Sequence, residues 1–553
     1  MSTIKNIIWI MCDQLRRDYL SCYGHPNLKT PNIDRLAARG VRFDRAYVQS
    51  TICGSSRMSA YTGRYMRSHG STFNNVPLRI GELTLGDHLR EIGVRSVLVG
   101  KTHMEADAEG MERLGIDPDS VIGVLASECG FEPYERDDGL HPDGPYDPDP
   151  AYDRYLRDQG FNAKNPWEEL ANSGQGPDGE QQNGWLLVHA DKPARIPEEH
   201  SETPYMTRRA MDFVREAKAD GRPWLMHLSY IKPHWPYIVP APYHDMYGKD
   251  DVIPAVRDAG ERDDPHPLYK AFMEERFSTN FSRDEVRERV IPAYMGLIKQ
   301  VDDQIGVLMA FLDAEDLTDS TMIVLTSDHG DYLGDHWLGE KYLFHEQSVG
   351  VPLIVVDPDG KADATRGTAS DALVEMIDLA PTFLEAMGGK AKPHVLEGQS
   401  LLPLLRGAAM ATERRAVVSE YDFSFDAARL KLGSKVADSR AVMVFDGRWK
   451  YVHVPGYRPM LFDLATDPAE LRDIGADPAF EAERARLREI MLDWALKPAS
   501  RTTMADERIT ANDDVALKFN LAASAGVIIG FWDEAELEED RRNREAALRE
   551  RGK

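Results

Sequence analysis

Cysteine is scarce in this chain: four residues in 553, Cys12, Cys22, Cys53 and Cys129, with no Cys-x-x-Cys pair and no framework spacing. That excludes a disulfide scaffold and a zinc knuckle. Positive charge is also in deficit. Sixty-six lysines and arginines against 92 aspartates and glutamates leave a net charge of −26, and no basic cluster offsets it. Such a chain repels phosphate backbones and anionic headgroups, so no nucleic-acid partner and no membrane partner is expected. No run of eighteen apolar residues occurs, and Met1-Ser2-Thr3-Ile4-Lys5-Asn6 enters a short apolar strand without a long leader or a small-residue cleavage site. A soluble, cytoplasmic protein is expected. Internal repeats, low-complexity tracts and a glycine-rich nucleotide loop are missing too. The length allows a large core and two or more domains.

What is present is a series of short apolar runs alternating with helical patterns. Ile7-Ile8-Trp9-Ile10-Met11-Cys12 has the length and continuity of a strand buried on both faces, and it ends in Asp13-Gln14. Ser96 to Val99 stops at Gly100-Lys101-Thr102-His103. Trp224 to Tyr230 runs into Ile231-Lys232-Pro233-His234-Trp235-Pro236-Tyr237, and Met322 to Thr326 ends in Ser327-Asp328-His329-Gly330-Asp331. Val351 to Val356 supplies another strand. Helices are expected over Thr30 to Gly40, Thr84 to Glu91, Thr203 to Lys218, Val290 to Leu312 and Ala372 to Met387. The alternation predicts an α/β fold with a mainly parallel sheet sandwiched by helices.

From about Ala416 the pattern changes to short strands separated by Asp446-Gly447 and Pro455-Gly456. Residues 416–553 are therefore expected to form a smaller C-terminal α+β subdomain, its antiparallel sheet closed by a helix from Ala479 to Ala495, beside an α/β domain at 1–415. Residues 105–200 read as an insertion of long loops around short helices. Its acidic runs, Glu135-Arg136-Asp137-Asp138 and Asp147 to Asp153, suit a solvated face or a seat for a cationic substrate part. Apolar Val527-Ile528-Ile529-Gly530-Phe531-Trp532, followed by the charged helical tail from Glu534 to Arg551, invites a partner subunit, so a homo-oligomer, dimer or tetramer, is expected.

Four polar clusters, Asp13-Gln14, Lys101-Thr102-His103, His234 and Asp328-His329, each follow directly on a predicted buried strand. In open α/β sheets ligands gather at the carboxyl ends of strands. A lone Asp13 would more simply cap the next turn, but four such clusters in one sheet point to one site. Beside them stands Thr51-Ile52-Cys53-Gly54-Ser55-Ser56-Arg57, running on to Tyr61-Thr62-Gly63-Arg64, where a helix is expected to begin. Small neighbours leave the Cys53 sulfur accessible, and a helix N-terminus would favour negative charge there. A cysteine-based phosphatase would need its arginine six residues after the cysteine, and that position is Ser59. Taken alone, the pentapeptide suits a buried cysteine beside a capping arginine equally well.

Cys53, Arg57 and Thr62-Gly63-Arg64 resemble the signature of the type I sulfatases of the alkaline phosphatase superfamily, Cys-x-(Pro/Ala)-x-Arg followed by a Leu-Thr-Gly-Arg-like element. Ser55 stands where the family has proline or alanine. Gly100-Lys101-Thr102-His103, Pro233-His234-Trp235-Pro236 and Thr326-Ser327-Asp328-His329-Gly330-Asp331 resemble further family elements. The resemblance implies an alkaline-phosphatase-like fold with a smaller C-terminal domain and a sulfuric ester hydrolase activity. It also implies that a formylglycine-generating enzyme oxidises Cys53 to formylglycine (3-oxoalanine). In that scheme one hydroxyl of the hydrated aldehyde attacks sulfur. Arg57, Lys101 and Lys341 balance charge on the sulfuryl oxygens, Asn74 contacts an oxyanion, and His234 protonates the leaving oxygen. His103 then deprotonates the second hydroxyl and sulfate is expelled. Asp13, Cys53, Asp328 and His329 are implied as ligands of one divalent metal, with Gln14 as a further ligand or its support. Asp13-Gln14 and Asp328-His329, in place of the Asp-Asp and Asp-Asn of common sulfatases, resemble the branch of bacterial phosphonate monoester hydrolases and choline sulfatase. Calcium is the first choice of ion and manganese the alternative. A phosphonate monoester or phosphodiester hydrolase is the nearest rival. That branch resembles Tyr-x-Thr where Lys101 and His103 stand, which favours the sulfatase. A non-catalytic binding protein retaining a Cys53 thiol is the reading from another class.

Overall fold

The computed structural model describes residues 4–139, 149–410, 412–511 and 532–550. One compact unit takes the residues up to 391 together with 396–497. A second takes 392–395 with the residues from 498 on, and includes the helices Asp506–Ala511 and Glu534–Glu550. The apolar stretch 527–531 lies outside the described residues, as does part of the acidic run that begins at Asp147.

In chain order the strands of the first unit are β1 (Asn6–Cys12), β2 (Val41–Tyr47), β3 (Arg95–Gly100), β4 (Glu132–Arg136), the small ribbon β5 (Gly174–Gln175) and β6 (Gln181–Gln182), then β7 (Trp224–Tyr230), β8 (Thr321–Ser327), β9 (Gly350–Val356), β10 (Thr368–Ser370) and β11 (Val374–Glu375). The main sheet has the order β10-β2-β9-β8-β1-β7-β3-β4, with β11 beside β2. β1 runs parallel to β7 and β8, and β3 parallel to β7 and β4, while β9 is antiparallel to β2 and β8. This is the expected mixed, mainly parallel sheet. Side chains of β1 alternate between two cores: Ile7, Trp9 and Met11 enter one, Ile8, Ile10 and Cys12 the other. A continuous apolar run is what a strand covered on both faces requires. Helices Glu202–Asp220 and Asp284–Ala314 fill one face, with Ile33 and Leu36. Helices Cys53–Thr62 and Leu379–Ala386 and part of a second sheet fill the other.

That second sheet is antiparallel, β12 (Val417–Asp422), β13 (Arg440–Phe445), β14 (Trp449–His453) and β15 (Met460–Asp463) in sequence order. Leu487, Ile490 and Trp494 of the helix Glu481–Ala495 pack on its Val444, Tyr451 and Leu461.

Three local expectations change. The helix at the signature begins at Cys53 itself and ends at Thr62, where Gly63 at φ +64 closes it, so Tyr61-Thr62-Gly63-Arg64 terminates a helix rather than starting one. The expected helix from Ala372 is confined to Leu379–Ala386, because Val374 and Glu375 pair with Ala46 and Tyr47. Within 105–200, Glu132–Arg136 adds an edge strand to the main sheet; paired on one side only, it carries no apolar run.

Because β1, β3, β7 and β8 share direction and register, Cys12, Gly100, Tyr230 and Ser327 end at one edge. Gly100 takes φ +109, and a Cβ there would lie 2.0 Å from the Ser229 carbonyl oxygen. Gly100→Ala should therefore lower stability by about 1–3 kcal/mol in denaturant unfolding, and turnover should fall with it, since Lys101 follows directly.

Candidate active site

At that edge the chain turns sharply. Gln14 and His103 adopt left-handed backbone conformations, φ +66 and +53, immediately after β1 and β3. Asp138 fixes the second turn, its Oδ1 accepting from the backbone N–H groups of Thr102 and His103, both at 2.9 Å. The acidic run at 135–138 is thus used inside the fold rather than as a solvated face or a cation seat. The signature helix starts with Cys53 in its first turn, and Asn74 Oδ1, twenty residues away, accepts from the Gly54 N–H at 2.9 Å. Ser55 is buried, its hydroxyl paired with Ser50 Oγ at 2.8 Å.

Asp13, Cys53, Asp328 and His329 offer ligand atoms that all lie within 4.8 Å of one another. His329 Nε2 is 3.1 Å from Cys53 Sγ, 3.5 Å from Asp13 Oδ1 and 3.7 Å from Asp328 Oδ1. Bonds of about 2.0–2.6 Å to a central ion span donor pairs at such separations, so the set fits one divalent metal. His329 Nδ1–H donates to the Gly330 carbonyl at 2.9 Å, which leaves Nε2 with its lone pair toward the cluster. A second cluster, Glu261, His336 and His345, has its two imidazoles stacked 3.7 Å apart at 3°, so their in-plane lone pairs run parallel rather than converge.

Arg57 is wholly buried and bonded throughout. Nε donates to Asp328 Oδ2 at 2.8 Å and Nη2 to Asp13 Oδ2 at 3.3 Å, while Nη1 reaches the Lys101 carbonyl at 3.0 Å and Ser229 Oγ at 2.7 Å. Lys101 Nζ lies 2.5 Å from Asp13 Oδ2. Lys341 Nζ lies 3.2 Å from Cys53 Sγ, 3.2 Å from His234 Nε2 and 3.3 Å from Gln14 Oε1. Gln14 turns its amide N–H to Asp331, which also accepts from Tyr237 at 2.9 Å. His103 is half-buried with its imidazole against Cys53. Arg64 pairs with Glu82, so the end of the signature anchors the helix.

Burial opposes charge on the Cys53 sulfur, yet Lys341, His329 and Lys101 outweigh it and hold the thiol well below its ordinary range. Burial and the sulfur's charge push Asp13 up; Lys101, His234 and Arg57 prevail and bring it below the usual carboxylate range. At Asp328 burial wins over Arg57 and the shift is upward. Burial, helped by Lys341 and opposed by Asp13, lowers His234 to about 4. An anion arriving between the ammonium and the imidazole would reverse that last shift.

The sequence named every member of this cluster. It passed over Ser229, Asp138, Asp331 and Tyr237, which hold the members in place. Asp331 lay within the quoted Ser327–Asp331 element and Ser229 at a strand end, so position could have marked both; nothing local marks Asp138 as the brace of residues 102–103.

The family profile described as Sulfatase matches residues 5–389, and one described as N-sulphoglucosamine sulphohydrolase, C-terminal, matches 334–497. The chain is 32% identical over 525 residues to the multifunctional alkaline phosphatase superfamily protein PehA of Trinickia caryophylli, covering 90% of this chain and 97% of that one. It is 27% identical to the choline-sulfatase of Rhizobium meliloti, covering 88% and 86%. Among solved structures, phosphonate monoester hydrolase SpPMH from Silicibacter pomeroyi superposes with a TM-score of 0.78 at 27% identity, covering 90% of this chain and 96% of that one.

Replacing Arg57 by methionine should leave two buried carboxylates facing each other and cost about 3–5 kcal/mol in denaturant unfolding. Arg57→Lys should recover less than half of that loss, because one ammonium cannot span the four acceptors.

Proposed function

This chain belongs to the sulfatase family of the alkaline phosphatase superfamily, and we propose that it hydrolyses aryl or alkyl sulfate monoesters to the alcohol and inorganic sulfate, with its nucleophile derived from Cys53 as formylglycine. The observation that carries this reading is the convergence on Cys53 Sγ of a metal-ligand set on one side and of Lys341 and His234 on the other. The sulfur marks where the oxygens of the oxidised side chain would project. Asp13, Asp328 and His329 would hold one divalent cation, calcium in first place and manganese as the alternative that the imidazole favours. Bound there, it would supply Lewis-acid stabilisation of a nearby oxyanion. Arg57 keeps Asp13 and Asp328 together. Lys101 and Lys341 remain the cations placed to balance charge on a tetrahedral oxyanion, and Gln14 and Asn74 serve as supports of Lys341 and of the helix start. His103, against Cys53, is the base for the elimination that releases sulfate. His234, with Nδ1 tied to the Trp235 carbonyl at 2.8 Å, presents Nε2 to the leaving oxygen. Among the described residues no helix is long and apolar enough to cross a membrane; a cytoplasmic location, maturation by a formylglycine-generating enzyme and homo-oligomeric assembly complete the proposal.

A second reading, hydrolysis of phosphonate monoesters or phosphodiesters, is supported by the likeness to SpPMH and to PehA. Lys101 and His103 at the β3 turn favour sulfate. Side-by-side kinetics on an aryl sulfate and an aryl phosphonate monoester should give the sulfate the higher kcat/KM, and mass spectrometry should find an aldehyde in the Cys53 peptide; a higher value for the phosphonate reverses the order of the two readings, and an unmodified thiol in active protein removes the formylglycine route. His234→Asn should lower kcat/KM about 100- to 10,000-fold for a phenyl or alkyl ester, and much less for a nitrophenyl ester, whose leaving group needs no proton.

A further inference from the structure

Glu340 sits beside Lys341 at the edge of the centre without serving any of the roles above. It occupies the left-handed backbone region at φ +57, directly before Lys341. Its Oε2 is buried without a hydrogen-bond partner and lies 3.9 Å from Lys341 Nζ, which itself lies 3.2 Å from Cys53 Sγ. The Trp235 indole adjoins the carboxylate and lies tilted beside the His234 ring with centroids 4.5 Å apart, so Glu340 borders the side from which the leaving group would depart. A largely buried carboxylate held so close to a substrate-facing lysine acts on whatever anion that lysine receives, and the effect scales with the anion's charge. Burial raises its pKa to about 7 against the pull of Lys341.

Sulfate monoesters, phosphonate monoesters and phosphodiesters each bring one negative charge. Phosphate monoesters and the inorganic sulfate product bring two. Building on the reading of the centre as one for singly charged esters, we propose that Glu340 is its charge selector. Set behind Lys341, the carboxylate offsets one unit of positive charge, so the site prefers singly charged tetrahedral esters and releases the doubly charged product.

The test uses the full chain loaded with its metal, near pH 8 and so above the Glu340 pKa of about 7, with Glu340→Gln and Glu340→Gly. The glycine variant removes the charge while relaxing the left-handed backbone. Two quantities are read: the ratio of kcat/KM for an aryl phosphate to that for an aryl sulfate, and the dissociation constant of inorganic sulfate by calorimetry. Both variants should raise the ratio about tenfold and tighten inorganic sulfate about tenfold. A change below about twofold in both quantities and both variants, with the melting temperature retained, overturns the proposal. Wild-type protein inactive on sulfate and phosphonate monoesters would overturn the functional reading instead, and the sulfate dissociation constants would still judge Glu340.

Discussion

Two carboxylates can share one solvent-free volume only if a cation lies between them, and here that cation is the Arg57 guanidinium. Asp13 and Asp328 have no exposed side-chain surface, and neither has Arg57. Pairings of this kind are of order 4 kcal/mol each at an effective dielectric of about 20, whereas an exposed pair contributes about 0–1 kcal/mol. The remaining donors of the guanidinium go to the Lys101 carbonyl and to Ser229 Oγ, so one side chain ties together the ends of β1, β3, β7 and β8. The candidate metal-ligand set and the strand register are therefore one arrangement. Parallel strands bring the polar ends to a common edge, and Arg57 makes their proximity tolerable.

Much of this was legible because buried parallel strands write themselves as apolar runs. β1, β7, β8 and β9 could be read that way, and the polar residues following β1, β7 and β8 pointed to the site. Where burial is one-sided the signal disappears: β4 reads Glu-Pro-Tyr-Glu-Arg and looks like loop. The start of the signature helix was hidden for another reason. Its first turn, Cys53-Gly54-Ser55-Ser56, carries no capping side chain of its own, and the acceptor that satisfies Gly54 comes from Asn74. Asp138 was misread because an acidic run is usually hydrated, and only the fold reveals that it faces two backbone N–H groups.

The family likeness extends over nine-tenths of the chain and includes proteins described as acting on sulfate and on phosphonate esters. That breadth has a physical basis in the centre itself. On the proposed reading, a compact cluster of two carboxylates, one imidazole and several cations would recognise a tetrahedral anion by charge and shape, and neither differs greatly between sulfur and phosphorus. On that reading, discrimination would fall to groups at the margin, such as Lys101, His103 and the residues beside Lys341.

Cys53 is 1% exposed, enclosed by side chains from the turns after β1 and β3 and from residues 328 to 341. Any enzyme that must grip the peptide around this cysteine cannot do so once those segments have closed over it. Under the proposed function, oxidation of Cys53 would therefore have to precede the packing of residues 328 to 341 over it, and protein that folds ahead of that maturation would be trapped as the thiol.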